Sequence, residues 1–372
     1  MKKRENPRIR DSIGRNRTGI LTDWPRGQSF GNNWNSVNMT AVRILAPLFL
    51  AASLCACLPE LPQRDPYLVK PPPAPAGIRL IPHTFALSMI SGRKVSGLTL
   101  EAFRTGTART RGEAVSSLKS YHAKVRLDVP AFLIRHPKQG PVLFDTGLGP
   151  EEGRPESLLD KVSPYAFLYR QRKGRDVVSQ LKAAGVEARD VRWVILSRLD
   201  HETVGMVMEF SSATVVVSRR EWESCSAREG RDRPCPPGIA GLEGTGRLRL
   251  IDLHNAPALA AFENAVDLFD DGTLFLVSLP GRTPGNMGAW MNMDRGPVLL
   301  TGGACFVVDN YLDLALPVKG MMGDIEDYWS SLHIIHAMRE AVPQLLVVPG
   351  SDLGALSLIR WADITPPPAR GR

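Results

Sequence analysis

The sequence predicts a layered α/β domain, on three observations. Short apolar runs that read as strands fall at 131–135, 142–145, 193–197, 214–218, 273–278 and 345–348. Stretches of helical pattern lie between them, at 176–184 and 327–341. No segment repeats at a fixed period. Taken in order, the first two runs are the arms of a hairpin, FLIRHPKQGPVLFDTGLGP, with Asp145, Thr146 and Gly147 at the end of its second strand. The helix at 176–184 stops at Gly185, before the strand at 193–197. Strands then dominate until the helix at 327–341, which ends ahead of Pro343 and leads into the last run. Strands alternating with helices give one α/β domain in layers.

Composition bounds the function. The chain has 372 residues, 43% hydrophobic and 23% charged, enough for a full core and unlike a disordered or collagen-like polymer. The formal charge is +8, but residues 1–43 hold a surplus of six positive charges, leaving +2 for the remainder. A nucleic-acid partner is therefore not expected.

Residues 39–57, MTAVRILAPLFLAASLCAC, read as an export signal: one Arg, an apolar stretch too short to span a membrane, then small residues and cysteine. The ending is similar to the bacterial lipoprotein signal, which makes Cys57 the expected lipidation site. Residues 1–38 then read as an upstream extension outside the fold, and 58–77 as a proline-rich tether. The domain is expected at 78–362 and a disordered tail at 363–372. The expected location is the periplasmic or cell-surface face of a bacterial membrane, with the lipid as the sole membrane contact. Cys225 and Cys235 can pair in that compartment or remain free. Oligomeric state is left open.

Five landmarks follow one another: the DTG turn of the hairpin, VRWVILSRLDHETVGM (191–206), LFLVSLPGRTPGNMGAWM (274–291), VLLTGGACF (298–306) and LLVVPGSD (345–352). The series resembles the metallo-β-lactamase superfamily, in particular its lactonase-like hydrolase branch. The resemblance implies an αβ/βα four-layer sandwich in a single domain. It also implies a His and Asp cluster holding one or two zinc ions, which acidify a bound water and polarise the substrate carbonyl.

This chain departs from that cluster at every position. Where the pattern has Ser/Thr-His-x-His-x-Asp-His, Arg198 and Asp200 stand at the first two histidines, Glu202 at the aspartate and Thr203 at the third histidine. Gly-His-Thr-Pro-Gly-His reads with Arg282 and Asn286 at its histidines, the bridging aspartate is Gly303, and the last histidine is Ser351. A guanidinium ~4 Å from a dication would repel it by several kcal/mol at an effective dielectric of about 20. Zinc is therefore expected to be lost, with no cofactor in its place.

Alternatives stay open. A shift of register by two residues makes Asp200 and His201 a ligand pair, and Asp200, His201 and Glu202 together could hold a hard cation weakly. Asp200 and Glu202 could instead neutralise Arg198 and Arg282 as ion pairs. Ser351 or Cys305 could act as a nucleophile with His201, although buried cysteine is commonly core. The DTG turn, Asp145, Thr146 and Gly147, reads as structural. The leading expectation is a noncatalytic binder of an anionic or acyl small molecule, with Arg198, His201 and Arg282 as ligand-binding residues. The alternatives are a metal-dependent hydrolase of lactones or related esters or amides with a relocated or single metal, and a purely structural surface lipoprotein.

Overall fold

Side chains at successive positions of a strand point to opposite faces, so a strand that is apolar throughout needs cover on both sides. In the computed structural model the central strands have that cover. The structure describes residues 68–76, 95–149, 165–226, 236, 239–357 and 363–368. The upstream extension, the export signal with Cys57, the first part of the tether, Cys235 and the last four residues lie outside the described residues.

The strands are β1 (Thr99–Arg111), β2 (Lys124–His136), β3 (Gly140–Phe144), β4 (Leu168–Arg170), β5 (Trp193–Ile195), β6 (Thr214–Ser218), β7 (Leu248–Ile251), β8 (Ala265–Asp267), β9 (Leu274–Ser278), β10 (Met287–Met293), β11 (Gly296–Leu300), β12 (Leu346–Val348) and β13 (Ile364–Thr365). One sheet has the order β13-β1-β2-β3-β5-β6-β7, with β4 also paired to β1; the other runs β12-β11-β10-β9-β8. Both are mixed: β3, β5, β6 and β7 are mutually parallel, while β8 to β11 are antiparallel and β12 is parallel to β11. The helices are α1 (Val177–Ala183), α2 (His201–Val204), α3 (Arg219–Ser226), α4 (Val308–Leu312), α5 (Ile325–Ala341) and α6 (Gly354–Ser357).

The layers follow from strand alternation. Phe132, Ile134, Val142, Phe144, Ile195 and Val216 of the first sheet face Leu276, Met287, Ala289, Met291, Val298 and Val348 of the second. The intervening positions, such as Leu133, Leu143, Val194 and Val215, pack on the other side against Val177 and Leu181 of α1. Trp290, Leu299 and Val347 likewise turn away from the sheet interface to meet Tyr328, Leu332, Ile335 and Met338 of α5. The result is the four-layer αβ/βα sandwich. Asp176 caps α1 by accepting from the Ser179 amide at 2.8 Å, and Asp324 caps α5 by accepting from Asp327, also at 2.8 Å.

The boundary expected at residue 362 is one strand too early. Ile364 is buried and pairs in parallel with Leu100 at the edge of β1, so residues 364–365 belong to the sheet. β1 itself carries no continuous apolar run, yet all 13 of its residues lie in a strand, with an irregularity between Arg104 and Gly106.

Candidate functional site

The loops at the C-terminal ends of β3 and β5, and those after β9, β11 and β12, meet at one edge of the sandwich. The first is shaped by Asp145, whose φ of +59° is left-handed and uncommon for a residue with a side chain. Its two carboxylate oxygens accept from the backbone N–H of Ser197 at 2.7 Å and from the Ser197 hydroxyl at 2.8 Å, fastening β3 to the end of β5. Thr146 donates its hydroxyl to the Thr203 carbonyl at 2.8 Å and accepts from the Met206 amide at 3.2 Å. Gly147 has φ +69°, and a Cβ there would lie 2.0 Å from the Thr105 hydroxyl oxygen. The DTG turn is thus a joint between strand ends. Burial pushes the Asp145 carboxyl up to about 7, against the pull of Arg198 and the Ser197 hydrogen bonds.

Past Ser197 the chain enters a charge cluster. Arg198 donates from Nε to Asp200 and from Nη2 to Glu202, each at 2.8 Å. Arg282, arriving from the loop after β9, places Nη2 3.5 Å from Glu202 and 3.7 Å from Asp200. It also donates from Nη1 to the Met321 carbonyl at 3.0 Å and lies over the Phe306 ring, 4.7 Å from its centroid. All four side chains are largely buried. Burial works to lower the Arg198 pKa, but Glu202 and Asp200 overcome it and raise it. Burial works to raise that of Glu202, but Arg198, His201 and Arg282 hold it far below the ordinary carboxylate range. The Arg282 Nε–H is buried with no hydrogen-bond partner among the described residues.

The remaining substituted positions serve this cluster. Gly303 has its amide on Asn286 Oδ1 at 2.7 Å, while Asn286 donates to the Leu279 carbonyl, also at 2.7 Å. A Cβ at Gly303 would come within 3.0 Å of Arg198 Cδ and 3.1 Å of Arg282 Cγ, so the glycine leaves room for both arginine stems. Thr203 donates its hydroxyl to the Arg198 and Asp200 carbonyls, both at 2.8 Å, and helps to start α2. These groups do not fit a zinc pair. Asp200 and Glu202 are already engaged by guanidiniums, and the bridging carboxylate would compete with arginine carbons for space. Among the described residues no three His, Cys, Asp or Glu are grouped to hold a metal.

Beside the cluster is a narrow pocket of about 20 Å³, enough for roughly one water. Asp128, Asp145, Tyr169, Arg198, Glu202, Thr203 and Ser351 supply its polar wall; Leu127, Val129, Phe167 and Phe306 are among its apolar lining. His201 is not part of the lining: its Nδ1 is 3.3 Å from Glu202, and its ring meets Tyr169 edge-on at 4.5 Å. Ser351 reaches the pocket without His201. Cys305 is buried in the core against α5, and burial raises its thiol pKa far above the ordinary value, which removes it as a nucleophile. Cys225 is disulfide-bonded. Sequence reasoning missed Tyr169, which lines the pocket from β4, and Glu221 of α3, which accepts from the Leu199 and Gly285 amides. Only the short spacing of Glu221 after the strand at 214–218 could have hinted at it.

A model of the metallo-beta-lactamase superfamily matches residues 125–342. The chain belongs to this superfamily. Among its relatives is the N-acyl homoserine lactonase AttM of Azorhizobium caulinodans, 28% identical over 257 residues, covering 66% of this chain and 90% of the relative. The protein of the same name from Agrobacterium fabrum is 26% identical over 286 residues, covering 74% and 98%. A solved N-acyl homoserine lactone hydrolase with N-hexanoyl-L-homoserine at its catalytic metal centre is 20% identical, with a TM-score of 0.57 over 72% of this chain and 98% of that one. At that identity the likeness shows the fold. The expectation of a noncatalytic binding protein is corrected by these relatives. The superfamily match spans the loops described above up to residue 342, short of the loop after β12, and the relatives that the chain resembles along nearly their whole length are named lactonases. They favour the hydrolase expectation.

Proposed function

We propose that the chain hydrolyses lactones or related acyl esters, using its own charged groups where the superfamily uses metal. The observation that carries this reading is the kinship to lactonases over 90% of the A. caulinodans protein, combined with a pocket that still brings a carboxyl group and a guanidinium together. Besides fastening β3 to β5, Asp145 is the base, its carboxylate oxygens each keeping a further lone pair beyond the Ser197 bonds: its carboxyl, pushed up to about 7, is matched to proton transfer near neutrality. It takes a proton from a water in the pocket while the water oxygen bonds to the ester carbonyl carbon. Arg198 Nη1, which makes a long hydrogen bond of 3.5 Å to the Ser197 hydroxyl, faces the developing oxyanion. The ring C–O bond then breaks, and the proton passes from Asp145 to the leaving oxygen. The small pocket receives the reacting atoms, and the acyl chain lies at its mouth along Leu127, Phe167 and Phe306.

The test is ring opening of an N-acyl homoserine lactone by chelator-treated protein, read as a mass gain of one water. Turnover is expected without added metal, and Asp145→Asn should lower kcat ~100-fold or more. No ring opening with or without zinc would sink the proposal; turnover only in stoichiometric zinc would sink the arginine route. The proposal extends to export and a lipid on Cys57. Mass spectrometry of the mature N-terminus tests this, and an unmodified terminus elsewhere would remove the anchor.

A further inference from the structure

Two separate loops carry the guanidiniums; the Met287 amide donates to the Ser197 carbonyl between them at 2.9 Å, and one side chain from a third element bridges them as well. Glu221 is 4% exposed and belongs to α3, outside every motif that marks the site. Its Oε1 accepts the backbone N–H of Leu199, the residue after Arg198, at 3.0 Å. Its Oε2 accepts the N–H of Gly285, three residues after Arg282, at 2.9 Å. The loop after β9 is pressed onto the helix here, because a Cβ at Gly285 would meet the Glu221 amide nitrogen at 2.2 Å.

A buried carboxylate is costly unless donors fill its lone pairs. Here two main-chain donors from different loops do so, and charge-assisted hydrogen bonds of this kind are roughly twice as strong as neutral ones. The carboxylate plane is rigid, so the distance between the two amides is fixed by one side chain. Burial raises the Glu221 pKa, and the bond from Leu199 counters part of that rise. Cys225, towards the other end of the same helix, is disulfide-bonded.

We infer that Glu221 is a positioning residue that sets the separation of Arg198 and Arg282. Its kinetic consequence rests on the hydrolase reading; the strut itself does not. Glu221→Gln keeps the shape but replaces one acceptor with a donor, and Glu221→Asp keeps the charge but shortens the reach.

Hydrogen exchange at the Leu199 and Gly285 amides, together with the Nε–H resonances of Arg198 and Arg282, reads the strut directly. In Glu221→Gln both amides are expected to exchange ~10-fold faster or more and both arginine resonances to move, with kcat falling ~10-fold and KM little changed. Glu221→Asp should restore protection at one amide only. Unchanged amides in Glu221→Gln would overturn the inference whether or not the protein turns over. So would faster amides with unmoved arginine resonances and unchanged kcat. If the wild type opens no lactone, the proposed function fails while the amide and arginine signals still judge the strut. If neither variant folds, wild-type amides exchanging like those of an open loop would overturn it, and protected ones would support it.

Discussion

Strand β3 has a buried polar cluster at each end. At its start, His136 of β2 is paired with Gly140 and reaches across to the second sheet, with Nε2 3.1 Å from Asp271 and 3.0 Å from the Thr273 hydroxyl. Its Nδ1 accepts from the Lys138 and Gln139 amides, both at 3.1 Å, so the neutral ring carries its proton on Nε2. At its other end, past Phe144, are Asp145 and the Arg198, Asp200, Glu202 and Arg282 cluster. The first cluster contains the histidine and carboxylate that a metal-site reading looks for, yet both ring nitrogens are used in joining two sheets. The second contains no imidazole at the substituted positions and leaves the Arg282 Nε–H unpaired among the described residues. Residue type therefore misleads in both places. The first is a joint whose polar atoms pair with one another; the second is held by ion pairs between charged side chains.

Three substitutions probe that contrast. The largest effect is expected from Arg198→Met, which strands two buried carboxylates: a loss of ~3–5 kcal/mol in urea unfolding, partly recovered by adding Glu202→Gln. A loss below ~1 kcal/mol would mean that the cluster is solvated and comparable to a surface pair. Next, Gly303→Ala should cost ~1–3 kcal/mol through overpacking against the arginine stems, and markedly less when Arg282 is also alanine. Equal costs in both backgrounds would detach the glycine from the arginines. The smallest effect concerns pH. Burial lowers the His136 pKa against the pull of Asp271, so the unfolded chain binds a proton more readily than the fold does. Its contribution is present above the unfolded pKa, begins to be lost as pH falls below about 6.5, and is gone once pH has fallen through the lowered folded value. Asp145 acts in the opposite sense: with its pKa raised to about 7, its contribution is present at low pH and is lost as pH rises through 7. Subtracting the unfolding profile of His136→Gln from that of the wild type isolates the first effect; a flat difference between pH 5 and 8 would break the assignment.

Much of the fold was legible because the central strands are apolar on both faces: Val142, Leu143 and Phe144 announce a strand even though they serve two different layers. β1 was not, because Arg104, Thr105, Thr107 and Arg109 interrupt its buried Leu100, Ala102, Phe103 and Ala108. The site was legible as a set of turns in order, and the pairing of Asp200 and Glu202 with the arginines could be anticipated from charge. The roles of Gly303 and Glu221 could not, since both depend on distances between segments far apart in the chain. The functional expectation failed for a related reason: it was drawn from the substituted motif positions, whereas the kinship to named lactonases extends along nearly their whole length.

Gly303 also constrains the order in which such a centre can change. Arginine stems at 198 and 282 and a side chain at 303 press on one volume, so a Cβ there obliges the stems to yield by a few tenths of an ångström and a carboxylate by more. A path between the two configurations is easiest when position 303 is emptied first, and a single reversion there meets a room already furnished. Restoring the superfamily's usual residues in this chain is therefore least costly when the arginines are replaced before the glycine.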